Sequence, residues 1–172
     1  MKRSNAGATL IEIMTVLTVL AVFLSVGLPA FSDTLTQLRV QTAMHRISAD
    51  LAAARSIAIA RRSQLVVCPR SADHRCRDDS DWTLGWMFFL DPDGNRQPDA
   101  MADILGSREA MPRGVTVTAT RLYLRYQHDG RSAHSNQTVR LCAGEQLAGT
   151  VVVNNLGRVR SARPQQPTDC PR

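Results

Sequence analysis

The sequence predicts an α+β fold in which a long N-terminal helix, membrane-spanning over its first half, packs on an antiparallel β-sheet head. Three observations carry this. Ile13 to Phe31 is a run of 19 uncharged, mostly apolar residues. From Phe31 to about Ala60 apolar residues recur at three- and four-residue steps, the spacing of one helix face. Beyond Arg62 the pattern shortens to β-branched and aromatic runs separated by turn residues, as in an antiparallel sheet. A length of 172 residues allows one core of ordinary size, and 44% apolar with 21% charged residues excludes a disordered chain.

The elements follow in order. At about 1.5 Å per residue the apolar run makes roughly 28 Å of helix, close to the hydrocarbon thickness of a bilayer. Lys2 and Arg3 precede it, so the positive-inside rule places the N-terminus in the cytoplasm and the rest of the chain across the membrane. A secretory signal peptide would carry a shorter apolar stretch and a small-x-small cleavage site. Here the run is longer, Glu12 interrupts its start, and helical periodicity continues after it. Glu12 itself is costly at the head of a membrane helix, so it reads as a functional residue with a partner. Phe31, Leu35, Leu38, Met44, Ile47, Leu51, Ala54 and Ala58 then form the core-facing stripe, with a slip near Thr42. Arg61 and Arg62 sit at the negative end of the helix dipole.

Strands are expected over Gln64–Cys68, Gly85–Leu90, Val115–Thr120, Leu122–Tyr126, Thr138–Cys142 and Thr150–Asn154. The organisation is therefore a short leader over 1–7, an apolar helix over 8–31, its amphipathic continuation over 32–62, a β-rich head over 63–160 and a Pro-rich tail over 161–172. Four cysteines follow the apolar run, on the side of a membrane where disulfides persist. Sequence allows three pairings. Cys68 with Cys76 would close a short polar loop and Cys142 with Cys170 would tether the tail, which favours that pairing. The paired C-x-x-C of structural zinc is lacking.

Other motifs point away from catalysis. Asp91 to Asp99 resembles the opening of a calcium loop, but Arg96 and Ala102 stand where an EF-hand needs Gly and Glu, so a polar turn is expected. His45, His74, His128 and His134 are scattered, without a nucleophile motif or a phosphate-binding Gly loop. Neither an enzyme nor a cofactor is expected.

The net charge is +6, but it is uneven. Asp73 to Asp103 holds eight acids against three Arg, whereas Gln146 to Thr168 holds three Arg and no acid. In that basic stretch Val151-Val152-Val153-Asn154-Asn155-Leu156-Gly157-Arg158-Val159-Arg160 reads as a hairpin, with Asn154, Asn155 and Gly157 suited to left-handed turn angles. Strand alternation would put Arg158 and Arg160 on one face, about 7 Å apart, and Val159 on the other. That separation suits successive phosphates, which guanidinium binds in bidentate fashion. Arg163 lies just beyond and Arg140 on an earlier strand that could be adjacent.

Gly7-Ala8-Thr9-Leu10-Ile11-Glu12, after a short basic leader and with Pro29 further along the helix, resembles the leader of type IV prepilins and pseudopilins. The resemblance implies cleavage after Gly7 by a prepilin peptidase, N-methylation of Ala8, and pairing of Glu12 with the N-terminal amine of a neighbouring subunit. The family usually has Phe where this chain has Ala8, a departure that bears on methylation more than on cleavage. Trp82-x-x-Gly85-Trp86-x-x-Phe89-x-Asp91 is similar to the W-x-x-G-W-x-x-F-x-D stretch of GspH/FimT family pseudopilins. Gly157-Arg158-Val159-Arg160 resembles the G-R-x-R motif of FimT-type minor pilins. These matches imply a type IV pilin-like fold, an inner-membrane protein with a periplasmic head that enters a surface pilus, and other pilins as partners. The last match also implies DNA contact through Arg158 and Arg160 for DNA uptake in natural transformation; Gly157, Arg163 and Arg140 join the candidate site by position, and phosphate contacts of this kind would be sequence-independent. The alternative is a minor pseudopilin of a type II secretion system with protein partners only.

Overall fold

The computed structural model describes residues 9–171, apart from the side chains of Val26, Pro29 and Ala30. Gly7 and Ala8, the expected processing site, lie outside the described residues. Helix α1 spans Leu10–Arg61. Its start is a capping box: the Glu12 N–H donates to Thr9 Oγ1 (3.3 Å) and the Thr9 N–H donates to Glu12 Oε2 (3.4 Å).

Residues up to Leu35 form one compact unit and residues from Thr36 onward another. In the first, Leu10, Ile11, Ile13, Met14, Val16, Leu17, Phe23 and Phe31 are exposed. Among the described residues no helix is long and apolar enough to cross a membrane; the sequence's apolar run includes the three positions whose side chains are not described.

In the second unit the helix buries Val40, Ala43, Met44, Ile47, Leu51, Ala54 and Ala58. The expected stripe began earlier, but Leu38 is 54% exposed and burial starts at Val40, because the helix meets the core cluster only from there. The consecutive pair Ala43 and Met44 absorbs the slip near Thr42. At the C-terminus Arg62 takes a left-handed φ of 49°, and the Ser63 N–H reaches back to the Ala58 carbonyl at 3.2 Å, closing the last turn.

Eight strands follow: β1 (Leu65–Pro69), β2 (Trp86–Leu90), β3 (Ile104–Ser107), β4 (Val115–Ala119), β5 (Leu124–Tyr126), β6 (Gln137–Ala143), β7 (Gln146–Val153) and β8 (Val159–Ala162). They form two antiparallel four-stranded sheets, ordered β3-β2-β1-β5 and β4-β6-β7-β8. The second sheet alternates as its sequence requires, with Val115, Val117, Val139, Leu141, Val151 and Val153 buried and the intervening Thr and Arg outward. β1 and β2 are buried on both faces because their far-side residues Val66, Cys68, Met87 and Phe89 form a second cluster on which Cys76, Ile104 and Tyr123 pack.

Most strand limits shift by a residue and β5 starts at Leu124 rather than Leu122; the larger differences from expectation lie elsewhere. β3 is missing from the expected set because Ile104-Leu105-Gly106-Ser107 is short and only half-buried; it forms because Gly106 gives room, a Cβ there striking the Phe88 ring. β7 begins at Gln146 rather than Thr150, since pairing with β6 runs as far as Gln146 opposite Ala143. Asn154 leaves the strand for the turn.

One polar cluster joins helix to sheet. Asp50 of α1, 5% exposed, accepts from Trp86 Nε1 (3.0 Å) and from Arg108 Nε (2.8 Å) and Nη2 (2.6 Å). Trp86 stacks on Trp82 with ring centroids 6.1 Å apart. The segment carrying Trp82 stitches onto the edge of β4, the Trp82 N–H donating to Val117 O and the Ala119 N–H to Ser80 O, both at 2.8 Å. Two consecutive elements thus bridge the sheets.

The cysteines pair as expected, Cys68 with Cys76 and Cys142 with Cys170. The tail rejoins the head through Leu147 N–H to Thr168 O and Cys170 N–H to Glu145 O, both 2.8 Å. The Asp91 loop is a turn held by its own bonds: buried Asp91 accepts from the Arg96 N–H (3.1 Å) and Arg125 Nη2 (3.1 Å). Burial pushes the Asp91 carboxyl above its usual range, against the pull of the Arg96 N–H and of Arg125. Among the described residues no acid, His or Cys cluster could hold a metal ion.

Two outcomes follow. Asp50→Ala leaves the buried Trp86 N–H unpaired and Arg108 without its carboxylate, and is expected to cost roughly 2–4 kcal/mol; urea unfolding read by fluorescence of the only two Trp residues checks it. By loop-closure entropy, removing the Cys142–Cys170 bridge should cost about 3.5 kcal/mol and the Cys68–Cys76 bridge about 2.5 kcal/mol. Paired Cys→Ser variants followed by thermal unfolding test that order, which equal losses would contradict.

Candidate nucleic-acid interface

The β7–β8 turn is built around Asn154 and Gly157. Asn154 Oδ1 accepts from the N–H groups of Leu156 (3.1 Å) and Arg158 (3.0 Å), an Asx turn. The Gly157 N–H donates to Asn154 O at 2.8 Å. Only Gly157 of this turn is left-handed, with φ 74°; Asn154 and Asn155, expected to share that conformation, do not, because the Asn154 side chain already closes the turn.

A neighbouring loop, between β5 and β6, clamps it. Ser132 donates its N–H to Asn155 O (3.1 Å) and its hydroxyl to Asn154 O (2.6 Å). Arg55 of α1 donates from Nε to Gly130 O (3.0 Å), and a Cβ on Gly157 would strike that same carbonyl. The turn therefore needs glycine twice over, for its angle and for its approach to Gly130.

On the rigid turn the alternation is as expected: Arg158 and Arg160 are exposed while Val159 packs on the core. Arg160 pairs with Val152, and Val152 with Thr138, so it stands on the outer face of the second sheet. Arg140 shares that face, pairing with Thr150 and through it with Ala162. It is not on a strand next to β8, since β7 lies between. Two strand spacings and two residues of offset put it about 12 Å from Arg160. Arg163 does not join the set. Past the end of β8 it lines a cleft with Thr36, Gln37 and Val40 of α1, because continued alternation turns it with Ser161 to the helix side.

Arg121 joins instead, and nothing local in the sequence marks it. It donates from Nε to Asn136 O (2.9 Å) and lines a polar cleft on this face with Thr120, Thr138, Val152 and Asn155. The four ion pairs among the described residues use Arg70, Arg77, Arg108 and Arg125. Arg121, Arg140, Arg158 and Arg160 thus carry uncompensated charge, and the outer face can hold an anion's oxygens by charge-assisted bonds.

A long N-terminal helix packed along its C-terminal part on an antiparallel head defines a type IV pilin-like protein. Two crystal structures of the type IV minor pilin FimU of Pseudomonas aeruginosa PAO1 share this fold, with TM-scores of 0.58 and 0.57 at 17% identity. They cover 75% and 74% of this chain and 92% and 96% of their own. Residues 43–157 match the family model described as type II transport protein GspH, and the chain belongs to that family: it is a minor pilin or pseudopilin. No curated protein matches the sequence significantly.

Gly157→Ala is expected to cost roughly 1–3 kcal/mol, from the left-handed φ and the displaced Gly130 carbonyl. Thermal unfolding measures it, and a loss within a few tenths of a kcal/mol of zero would contradict the clamp.

Proposed function

We propose that this protein is a minor type IV pilin that binds DNA through its second-sheet outer face, centred on Arg158 and Arg160, for uptake in natural transformation. The observation that carries this reading is the rigid turn presenting two exposed, acid-free guanidiniums at phosphate spacing. Binding of this kind is electrostatic and sequence-independent, since phosphate contacts hold no base information. The protein acts by binding and assembly, without catalysis or a cofactor.

Its route to the surface follows from the N-terminal motifs. A prepilin peptidase cleaves after Gly7, and Ala8 becomes the methylated N-terminus. Ile13–Phe31 spans the inner membrane with Lys2 and Arg3 on the cytoplasmic side, and the head stands in the periplasm before assembly. Glu12 pairs with the N-terminal amine of a neighbouring subunit, giving up its contact with Thr9. Loss of Lys2 and Arg3 leaves 19 Arg against 15 acids.

The family description favours a second reading, a pseudopilin of a type II secretion system whose head meets other pseudopilins or exported proteins. A gel-shift titration of the full chain in nonionic detergent separates the two. Duplex DNA at several salt concentrations should bind, and Arg158→Ala/Arg160→Ala should flatten the log-log salt slope by roughly 1.8. Wild-type affinity in that variant would sink the site assignment, and absence of binding at low salt would favour secretion.

A further inference from the structure

Three elements meet at Gly130, where Arg55 Nε and the Gly157 turn both close on one carbonyl. Ile59, one helical turn on from Arg55, lies against Gly130 as well, so the α1 face carrying Arg55 and Ile59 seats directly on this loop. Gly130 and Gly157 both have left-handed φ, 78° and 74°, and their missing side chains let Arg55 and the two turns close on one another. Around that junction Arg131 follows Gly130 and Arg158 follows Gly157. Both are exposed, and each side chain starts one residue from the contact that Arg55 makes.

Arg55 is half-buried, and its one hydrogen bond among the described residues goes from Nε to a neutral carbonyl. None of the ion pairs among those residues involves Arg55, Arg131 or Arg158. The neighbouring acid, Asp129, accepts the backbone N–H of Arg131 (2.9 Å). A partly desolvated guanidinium without a carboxylate is held at a cost that an anion would offset. Beyond Nε, the Arg55 guanidinium carries two amino groups that make no hydrogen bond among the described residues, in the planar fork that suits phosphate.

We infer that Arg55, Arg131 and Arg158 form one phosphate-binding site at the Gly130–Gly157 junction, so that the helix and the β5–β6 loop hold the DNA backbone together with the hairpin. This rests on the DNA reading above and extends it. The strand runs from Arg160 on the outer face, past the turn, to the end of the head where α1 closes. The two added contacts come from residues 27 and 103 positions away from Arg158 in sequence, which explains why no local motif contains them.

The test uses duplex DNA and the full chain in nonionic detergent. Each lost phosphate contact should lower the salt slope by about 0.9, or roughly eightfold in affinity at 0.1 M salt. Arg131→Ala, whose side chain is exposed, should lose one such step at unchanged melting temperature. Arg55→Gln should lose another, while Arg55→Lys, which keeps the charge but not Nε–H, should keep the wild-type slope even where the turn is loosened. Wild-type slopes in both Arg131→Ala and Arg55→Gln, with Arg158→Ala still weakened, would overturn the three-arginine site and leave the hairpin reading standing. No binding by the unaltered chain would instead overturn the DNA reading beneath it.

Discussion

A carboxylate buried on a helix must find partners, and Asp50 finds them on the sheet. Its oxygens take the Trp86 indole N–H and two guanidinium N–H groups of Arg108, which fixes the rotation and axial position of α1 against β2 and the chain after β3. Apolar packing alone would tolerate a helix slipped by one turn, since Ile47, Leu51, Ala54 and Ala58 would still meet aliphatic neighbours. A slipped Asp50 would be buried without partners, at a cost several times that of one lost methyl group. The rest of the head depends on that register. It places Arg55 under Gly130 and Met44 against Gly149, where a Cβ would strike its sulfur.

From this anchor the geometry of the outer face follows. With α1 in register, Arg55 and Ile59 support the β5–β6 loop, Ser132 holds the β7–β8 turn, and the turn holds Arg158 and Arg160 outward. The charge that matters is local. A chain with 21 Lys and Arg against 15 acids has too small an excess to attract a polyanion by total charge. The head divides it instead, neutralising Arg108 and Arg125 in structural pairs with buried carboxylates and leaving Arg121, Arg140, Arg158 and Arg160 outside the ion pairs among the described residues. Structural arginines and unpaired surface arginines are thus told apart by whether a carboxylate shares their cavity.

Much of this was legible beforehand. The helix, the strands with clear alternation and the outward placement of Arg158 and Arg160 about Val159 depend on neighbours a few residues apart, so local pattern is enough. The cysteine pairing followed from loop chemistry. β3 was not legible, because its four residues make no alternating pattern and become a strand only once β2 offers an edge. Arg163 looked equivalent to Arg160, yet it stands on the helix side, for alternation carries odd-numbered residues of β8 inward. Arg140 shares the face only because β7 bridges it to β8.

The sequence by itself determined the fold class, the family-defining motifs and the alternation that exposes an arginine pair, since each is a short-range property of the chain. Tertiary structure alone decided which distant charges stand beside that pair and which are spent inside the fold. Arg55 meets Gly130 across 75 positions and Arg108 is withdrawn to Asp50 across 58, while strand order brings Arg121 to the cleft of the outer face, and no periodicity records such pairings.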